Sequence, residues 1–246
     1  KNVAESTKYN GETEVAQHAK QLVKVQFFTD GVLSSLVTQL IGKYMLMTRE
    51  ELEQWEEDPE LFVRDQEMDF AGSVKNAAEL LFISLVETFD ETLPGFIATY
   101  SSNLLKETYG SFDQDKLLLR DAVYSAMGWV SHYLCQTIDF SSFFKQMLSQ
   151  EIQMRDSRYK IIRRRAVWLI GRWADSIDND VISDVFRTLL FVLSEEDTVL
   201  KLSSLMSLKA LLDEDRDVSK KILQEFLDPF VKSVFQLLSQ VEEEET

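Results

Sequence analysis

The chain has 246 residues, of which 45% are hydrophobic, and only 8 are glycine and 3 are proline. Turn-forming residues are therefore too scarce for a β-sandwich or barrel with many tight hairpins, and helices are favoured. A formal charge of −16 repels nucleic-acid phosphates and favours basic partners. The single cysteine, Cys135, excludes an intrachain disulfide and fits a reducing compartment such as the cytosol or nucleus.

The sequence lacks an apolar segment long enough to cross a membrane. Its longest apolar run, Leu80 to Val86 with Ser84 inside it, is far shorter than the ~20 residues that a spanning helix needs. The first twenty residues also lack the apolar centre of a secretory signal. We therefore expect neither membrane insertion nor entry into the secretory route.

Apolar residues recur at intervals of three and four, which predicts nine helices. A long opening helix is predicted over Val25 to Met47, and Ile222 to Leu238 forms the last. Between them, helices of one kind have stripes at Val74, Ala77, Ala78, Leu81, Leu85 and Phe89; at Leu119, Ala122, Val123, Ala126, Val130 and Tyr133; at Ile162, Ala166, Leu169, Ile170, Trp173 and Ile177; and over Thr198 to Leu212. They alternate with helices that have stripes at Leu93, Phe96, Ile97, Tyr100 and Leu104; at Phe140, Phe143, Phe144, Met147 and Leu148; and at Val181, Val185, Leu189 and Val192.

The stripes repeat with a nearly constant period. Ala77, Ala122, Ala166 and Ser203 follow one another at intervals of 45, 44 and 37 residues, and HEAT and armadillo repeats measure ~40 to 47 residues. The sequence thus predicts an all-α fold, a HEAT-repeat α-solenoid of stacked antiparallel helix pairs, with one array over residues 1–246. The alternative is a globular helical bundle whose spacing is accidental.

The second helix of each pair begins with an acid followed by an apolar-basic pair. These are Asp69 with Val74 and Lys75, Asp115 with Leu119 and Arg120, and Asp156 with Ile162 and Arg163. The acid can cap the start of the helix, and the base can reach an acid in the adjacent repeat. We expect Arg120 and Arg163 to form such a ladder.

Residues 48–69 interrupt the period and are predicted to be an inserted acidic loop within the first helix pair. Ten acids face only Arg49 and Arg64 in this stretch. The insertion is a candidate docking surface for a basic protein, anchored by Trp55 and Phe62 and presenting Glu53, Glu56, Glu57, Asp58 and Glu60. Alternatively, Trp55 and Phe62 only close a hydrophobic gap and the acids are simply solvated.

A second candidate is a cluster of basic residues on an acidic chain. Seven of the 26 basic residues lie within eighteen positions: Arg155, Arg158, Lys160, Arg163, Arg164, Arg165 and Arg172. Arg163, Arg164 and Arg165 are candidates for binding an acidic partner or nucleic acid, or they pair with acids of adjacent repeats. The net charge makes nucleic acid the least favoured of these and internal pairing the most favoured.

No catalytic, cofactor or metal site is predicted. His132 and Cys135 share a helical face, but no third group orients them, so core packing is favoured over zinc or a nucleophile. The glycines are scattered singly and form no phosphate loop. Asp175, Asp178 and Asp180 lack calcium-site spacing and are interpreted as helix caps. Trp168 and Trp173 are interpreted as core residues and not as a ligand cage.

Three motifs resemble a known family. The stretch from Met47 to Phe62 reads Met-Thr-Arg-Glu-Glu-Leu-Glu-Gln-Trp-Glu-Glu-Asp-Pro-Glu-Leu-Phe, which resembles the central Trp-x-x-Asp-Pro-Glu-x-Phe element of importin-β-family nuclear transport receptors. The sequence Arg-Arg-Arg-Ala-Val-Trp-Leu-Ile-Gly-Arg-Trp at 163–173 is similar to the importin-eleven-like branch, and Leu-Arg-Asp-Ala-Val-Tyr at 119–124 extends the resemblance. Met47 replaces the family's leucine.

This resemblance implies a central HEAT-repeat fragment of a receptor that carries protein cargo, expected to be basic, through nuclear pores under control of the GTPase Ran. The implied partners are cargo, Ran and nucleoporins, and the implied location is cytoplasm, nucleus and nuclear pore. Nothing here matches the family's main Ran-binding repeats. The alternative function is a cytosolic HEAT-repeat scaffold or regulatory subunit, because fold does not determine function.

Overall fold

The computed structural model describes residues 19, 21–67, 72–214 and 216–241, and over these ranges the secondary structure is helical without strands. The α-helices are α1 (Asp30–Gln39), α2 (Arg49–Glu57), α3 (Pro59–Glu67), α4 (Val74–Thr88), α5 (Leu93–Thr108), α6 (Gln114–Trp129), α7 (Ser131–Leu134), α8 (Phe140–Phe143), α9 (Ser149–Ile152), α10 (Lys160–Arg172), α11 (Ile182–Leu193), α12 (Thr198–Asp213), α13 (Asp217–Glu225) and α14 (Leu227–Leu238). Segments Val23–Phe27, Leu40–Tyr44 and Phe144–Leu148 are π-helical, and Ser157–Tyr159 and Ala174–Ser176 are 3-10 turns.

The helices stack as pairs in two layers. The first layer contains α1 with its π-helical continuation, α5, the α8–α9 segment, α11 and α13; the second contains α4, α6, α10, α12 and α14. Of the second-layer helices, α4, α6, α10 and α12 each pack on their own first-layer partner, and these four pack on one another in chain order. The predicted all-α solenoid of helix pairs is confirmed, and a single closed bundle is excluded.

Capping side chains explain where the second-layer helices begin. Ser73 accepts a hydrogen bond from the backbone N–H of Asn76, and Asp113 and Asp197 cap α6 and α12 in the same way. Asp156 caps the 3-10 turn before α10, as expected. The expected cap at Asp115 was wrong, because Asp113 lies where its carboxylate meets the first free N–H groups. Asp69 lies outside the described residues.

Two predicted long helices are interrupted. The opening helix begins afresh at α1, because Thr29 is extended and caps it by accepting from the N–H of Val32. The last helix is divided at Phe226 into α13 and α14. Apolar periodicity continues across both breaks, so it could not reveal them.

A buried cation recurs at the same position of successive second-layer helices. Lys75, Arg120, Arg163 and Lys201 are each between 1% and 6% exposed. The Nη2 atom of Arg120 lies 2.5 Å from Oε1 of Glu151, Arg163 pairs with Glu195, and Lys201 donates to Gln240. Each partner belongs to the next helix pair along the chain: Glu151 lies on α9, Glu195 between α11 and α12, and Gln240 just after α14. The predicted ladder through Arg120 and Arg163 is therefore confirmed.

Arg120 belongs to a buried polar network. Its guanidinium also donates to the carbonyl of Leu105 at 2.6 Å. The hydroxyls of Tyr124 and Tyr159 donate to the Glu151 carboxylate at 2.5 and 2.9 Å. Burial, followed by the Glu151 charge, raises the pKa of Tyr124, which keeps its hydroxyl a donor. This network joins the second pair to the third.

Close approach of helices defines the contact between α6, α10 and α12. A Cβ added at Gly128 would lie 2.3 Å from the Trp168 ring, and one at Gly171 would lie 3.0 Å from the Ser207 Cα. Trp173 is fully buried and donates to the carbonyl of Met127 at 3.2 Å. The predicted core position of Trp173 is confirmed, whereas Trp168 is only half-buried.

We expect Arg163→Ala to lower the free energy of unfolding by about 3 kcal/mol, because it removes one member of a buried ion pair. Glu195 would retain only the exposed Arg155, 3.5 Å away. The matched control is Arg187→Ala, which removes the exposed pair with Asp184 and should change stability by less than ~1 kcal/mol. Chemical denaturation followed by circular dichroism measures both, and equal losses would contradict the buried ladder.

Candidate partner-binding insertion

The insertion at 48–69 is helical over its described part, which corrects the expectation of a loop. Thr48 accepts from the N–H of Glu51 at 3.2 Å, and the Glu51 carboxylate accepts from the N–H of Thr48 at 2.6 Å. This capping box starts α2. Asp58 accepts from the N–H of Leu61 at 3.0 Å and so supports the start of α3.

Trp55 and Phe62 attach this helical hairpin to the second layer, as expected of anchors. They are 3% and 0% exposed, and their rings stack with centroids 5.2 Å apart. The Trp55 indole N–H donates to the carboxylate of Asp197 at 3.3 Å. The Lys160 ammonium lies 5.0 Å from the Trp55 ring centroid, and the Arg164 guanidinium lies 5.3 Å from that of Phe62, so cation–π attraction adds to burial.

Ion pairs fasten the hairpin at two further points. The ammonium of Lys75 on α4 donates to Glu51 at 2.7 Å, and that of Lys160 on α10 pairs with Glu56. Burial of Glu51 favours its neutral form, but Lys75 and the hydrogen bonds from Thr48 and Gln66 outweigh burial, so the pKa is lowered from 4.5. Glu51 is therefore held as a carboxylate against α4.

The five candidate acids of the insertion occupy different environments. Glu53 and Glu57 are exposed, and the Glu56 side chain is 66% exposed although it pairs with Lys160. Asp58 is half-buried at the start of α3, and Glu60 is buried at 9% exposure. The outward acidic surface is thus formed by Glu53, Glu56 and Glu57.

Arg163, Arg164 and Arg165 are only 5%, 2% and 3% exposed, so they present no surface to a partner. Arg165 donates to the Asp121 carboxylate at 2.8 and 3.3 Å, which ties α10 to α6. The candidate partner contact through these three residues is thereby corrected. The physical reason is that α10 is enclosed by α6, α9, α12 and the insertion, which buries every residue from 161 to 167.

The remaining sequence candidates do not form a site. His132 is exposed, and the Cys135 thiol donates to the His132 carbonyl at 3.1 Å. The expected capping of α11 by acids near Val181 was wrong, because no side chain caps its start; Asp180 instead accepts from Lys145 at 3.0 Å. Across the described ranges, no His, Cys, Asp and Glu side chains group in a way that could hold a metal. None of the helices described is long and apolar enough to span a membrane.

Sequence reasoning missed the residues that receive the insertion. The repeat pattern places Lys75 at the same position as Arg120 and Arg163, but it does not indicate that the partner of Lys75 is Glu51 of the insertion. Asp197 precedes α12 as a helix cap, but no local signal marks it as the partner of Trp55, which is 142 residues away. The sequence marks Lys160 only as a member of the basic cluster.

We expect Glu51→Gln to reduce stability at neutral pH and to have less effect in acid. Because the folded pKa of Glu51 is lowered from 4.5, its contribution is complete above pH 4.5 and is lost as pH falls through the folded value. The difference in unfolding free energy between parent and variant should therefore shrink below pH 4.5. Urea titrations at stepped pH measure this difference, with the exposed Glu53→Gln as control. A difference independent of pH would refute the role of the Glu51 charge.

Comparisons with known proteins identify relatives of the chain. No protein-family model matches. Human importin-11 is 32% identical over 227 residues, which is 91% of this chain and 23% of importin-11, and mouse importin-11 matches equally. Importin beta-like protein KAP120 of Saccharomyces cerevisiae is 24% identical over 83% of this chain and 20% of its own length.

A solved structure has the same fold. Lph2, described as a novel bidirectional nuclear transport receptor in S. cerevisiae, superposes with a TM-score of 0.84 at 23% identity, over 97% of this chain and 24% of that chain. The chain thus spans about a quarter of the length of the proteins it matches. With the motifs of the insertion and of α10, these similarities show that the chain belongs to the importin-β family, in its importin-11-like branch.

Proposed function

We propose that this chain is part of a nuclear transport receptor that carries protein cargo through nuclear pores under the control of Ran. The observation that carries the proposal is the 32% identity to importin-11 over 91% of the chain. Cargo proteins, Ran and nucleoporins would be its partners, and it would shuttle between cytoplasm and nucleus. Its work would be binding and not catalysis.

Apolar surface at the two ends of the stack supports a role within a longer solenoid. Val23 and Phe27 are 52% and 61% exposed near its beginning, and Phe235 and Leu238 are 69% and 62% exposed on α14. In repeat arrays such faces are covered by neighbouring repeats. Relatives about four times as long, of which this chain covers 23%, contain the length of chain that this would require.

Dependence on the nucleotide state of Ran tests the proposed function. Affinity capture with the full-length protein should recover different proteins in the presence of Ran loaded with GTP and of Ran loaded with GDP. The physical reason is that a Ran-controlled receptor binds Ran and cargo with coupled free energies. Mass spectrometry identifies the captured proteins. The same set in both states would favour the alternative, a cytosolic HEAT-repeat scaffold.

We further propose that the outward acids of the insertion dock a basic partner. Glu53, Glu56 and Glu57 lie on a hairpin that is anchored by buried aromatic rings, so their carboxylates have a rigid support. An acidic patch attracts basic proteins from a distance and raises their association rate. Asp58 and Glu60 have structural positions and are left out of this surface.

The double variant Glu53→Lys/Glu57→Lys should weaken binding of a basic partner and make that binding less sensitive to salt, because the attracting charges are reversed. Both residues are exposed, so stability should change by less than ~0.5 kcal/mol for each substitution. Titration calorimetry at two salt concentrations measures the effect on the full-length receptor.

The control is Glu91→Lys/Glu107→Lys, which changes the net charge equally at exposed positions outside the insertion. If the control weakens binding as much as the test variant, net charge alone is responsible. If neither weakens it, the insertion is not the docking surface.

A further inference from the structure

Each pair in a solenoid ordinarily contacts only its neighbours. Hydrogen bonds between the second-layer helices of this chain follow that rule and join residues one repeat apart. Arg165 to Asp121 spans 44 residues, Trp173 to Met127 spans 46, and Ser207 to Val167 spans 40. Such contacts fix each pair relative to the next, but small rotations between pairs still add up along the stack.

The insertion makes contacts of much longer range. Trp55 of α2 hydrogen-bonds Asp197, which is 142 residues away at the start of α12, and Glu56 pairs with Lys160, 104 residues away at the start of α10. Glu51, on the same helix, is held by Lys75 of α4. The short helix α2 therefore contacts three of the second-layer helices or their starts: α4, α10 and α12.

We propose that α2 and α3 form a strap that fixes the curvature of this part of the solenoid. A contact that joins the first pair to the fourth closes a loop over the intervening pairs, and the rotations between them can no longer change independently. Closure removes conformational freedom in the same way as any long-range cross-link. This role is independent of the proposed transport function.

The contacts of the strap differ in how easily a bound partner can replace them. Trp55 and Phe62 are buried, whereas Glu56 keeps two thirds of its side-chain surface in solvent, at 66%, and Lys160 keeps 25%. A cationic segment of a bound protein can compete with Lys160 for Glu56, because that ion pair lies at the edge of the contact. The strap thus gives a basic partner a direct physical connection to the shape of the solenoid.

The test measures the distance between the first and fourth helix pairs in the parent chain and in variants that lack the strap contacts. Spin labels are placed at the exposed positions Ser84 on α4 and Lys209 on α12, in a chain whose only cysteine is replaced by Cys135→Ser. A reference pair at Arg187 on α11 and Lys221 on α13 joins adjacent pairs outside the strap. Double electron–electron resonance gives both distance distributions.

Two variants release the strap by different means. Trp55→Ala/Phe62→Ala removes its buried anchors, and Glu51→Gln/Glu56→Gln removes its ion pairs with Lys75 and Lys160. The matched control, Glu53→Gln/Glu57→Gln, changes the net charge as much as the second variant but alters exposed residues. Amide hydrogen exchange of α2 and α3 reports whether the strap has loosened.

We expect both release variants to exchange faster in α2 and α3, with a shifted and broader distribution between Ser84 and Lys209. The reference distance between Arg187 and Lys221 and all distances in the control should match the parent. The proposal would be overturned if amide exchange in α2 and α3 became faster while the distance distribution between Ser84 and Lys209 stayed the same. It would also be overturned if amide exchange in α2 and α3 were unchanged in both variants. If the aromatic variant loses its helical circular dichroism, the charge variant decides by the same criterion. The test contains neither Ran nor cargo, so its failure would leave the proposed transport function untouched.

Discussion

Buried positive charges that reach acids beyond their own helix pair hold this stack together. An unpaired buried charge is strongly unfavourable, so Arg120 requires Glu151 and Arg163 requires Glu195. Because each of these acids comes from a later part of the chain, one pair is complete only when the next is in place. The ladder therefore makes neighbouring pairs interdependent, beyond the contact of their apolar surfaces.

The same requirement shapes the charge that the molecule presents to its surroundings. Six basic side chains but only three acidic ones are among the buried residues of the described ranges. The surface is consequently richer in acid than the composition alone indicates, and the insertion adds acids to it. A basic protein thus meets a negative surface over much of the molecule, with Glu53, Glu56 and Glu57 held at a defined place.

The periodic part of this structure could be predicted from sequence, and the long-range part could not. Ala122 and Ala166 lie in the buried stripes of successive helices and revealed the repeat, whereas Ala77 is exposed and α4 buries Ala78, Phe82, Leu85 and Val86 instead. The pairing of Arg165 with an acid of the adjacent repeat agrees with the favoured prediction. The burial of Arg164 beside it could not be predicted, since adjacent positions on a helix point in different directions and one of them is normally solvated. Here the insertion covers that remaining face. Its contact with Asp197 joins residues 142 apart, which no local pattern records.

Gly128 and Gly171 sit where second-layer helices pack too tightly to admit a side chain. A methyl group at Gly171 would lie 3.0 Å from a backbone atom of α12 and one at Gly128 would lie 2.3 Å from the Trp168 ring, so either would act as a wedge. In a stack, a small tilt at one junction between helix pairs displaces every later repeat, and the displacement grows with the distance from that junction. The absence of side chains at Gly128 and Gly171 therefore helps to set the overall path of the solenoid. A substitution at either glycine can displace a binding surface that lies far from it.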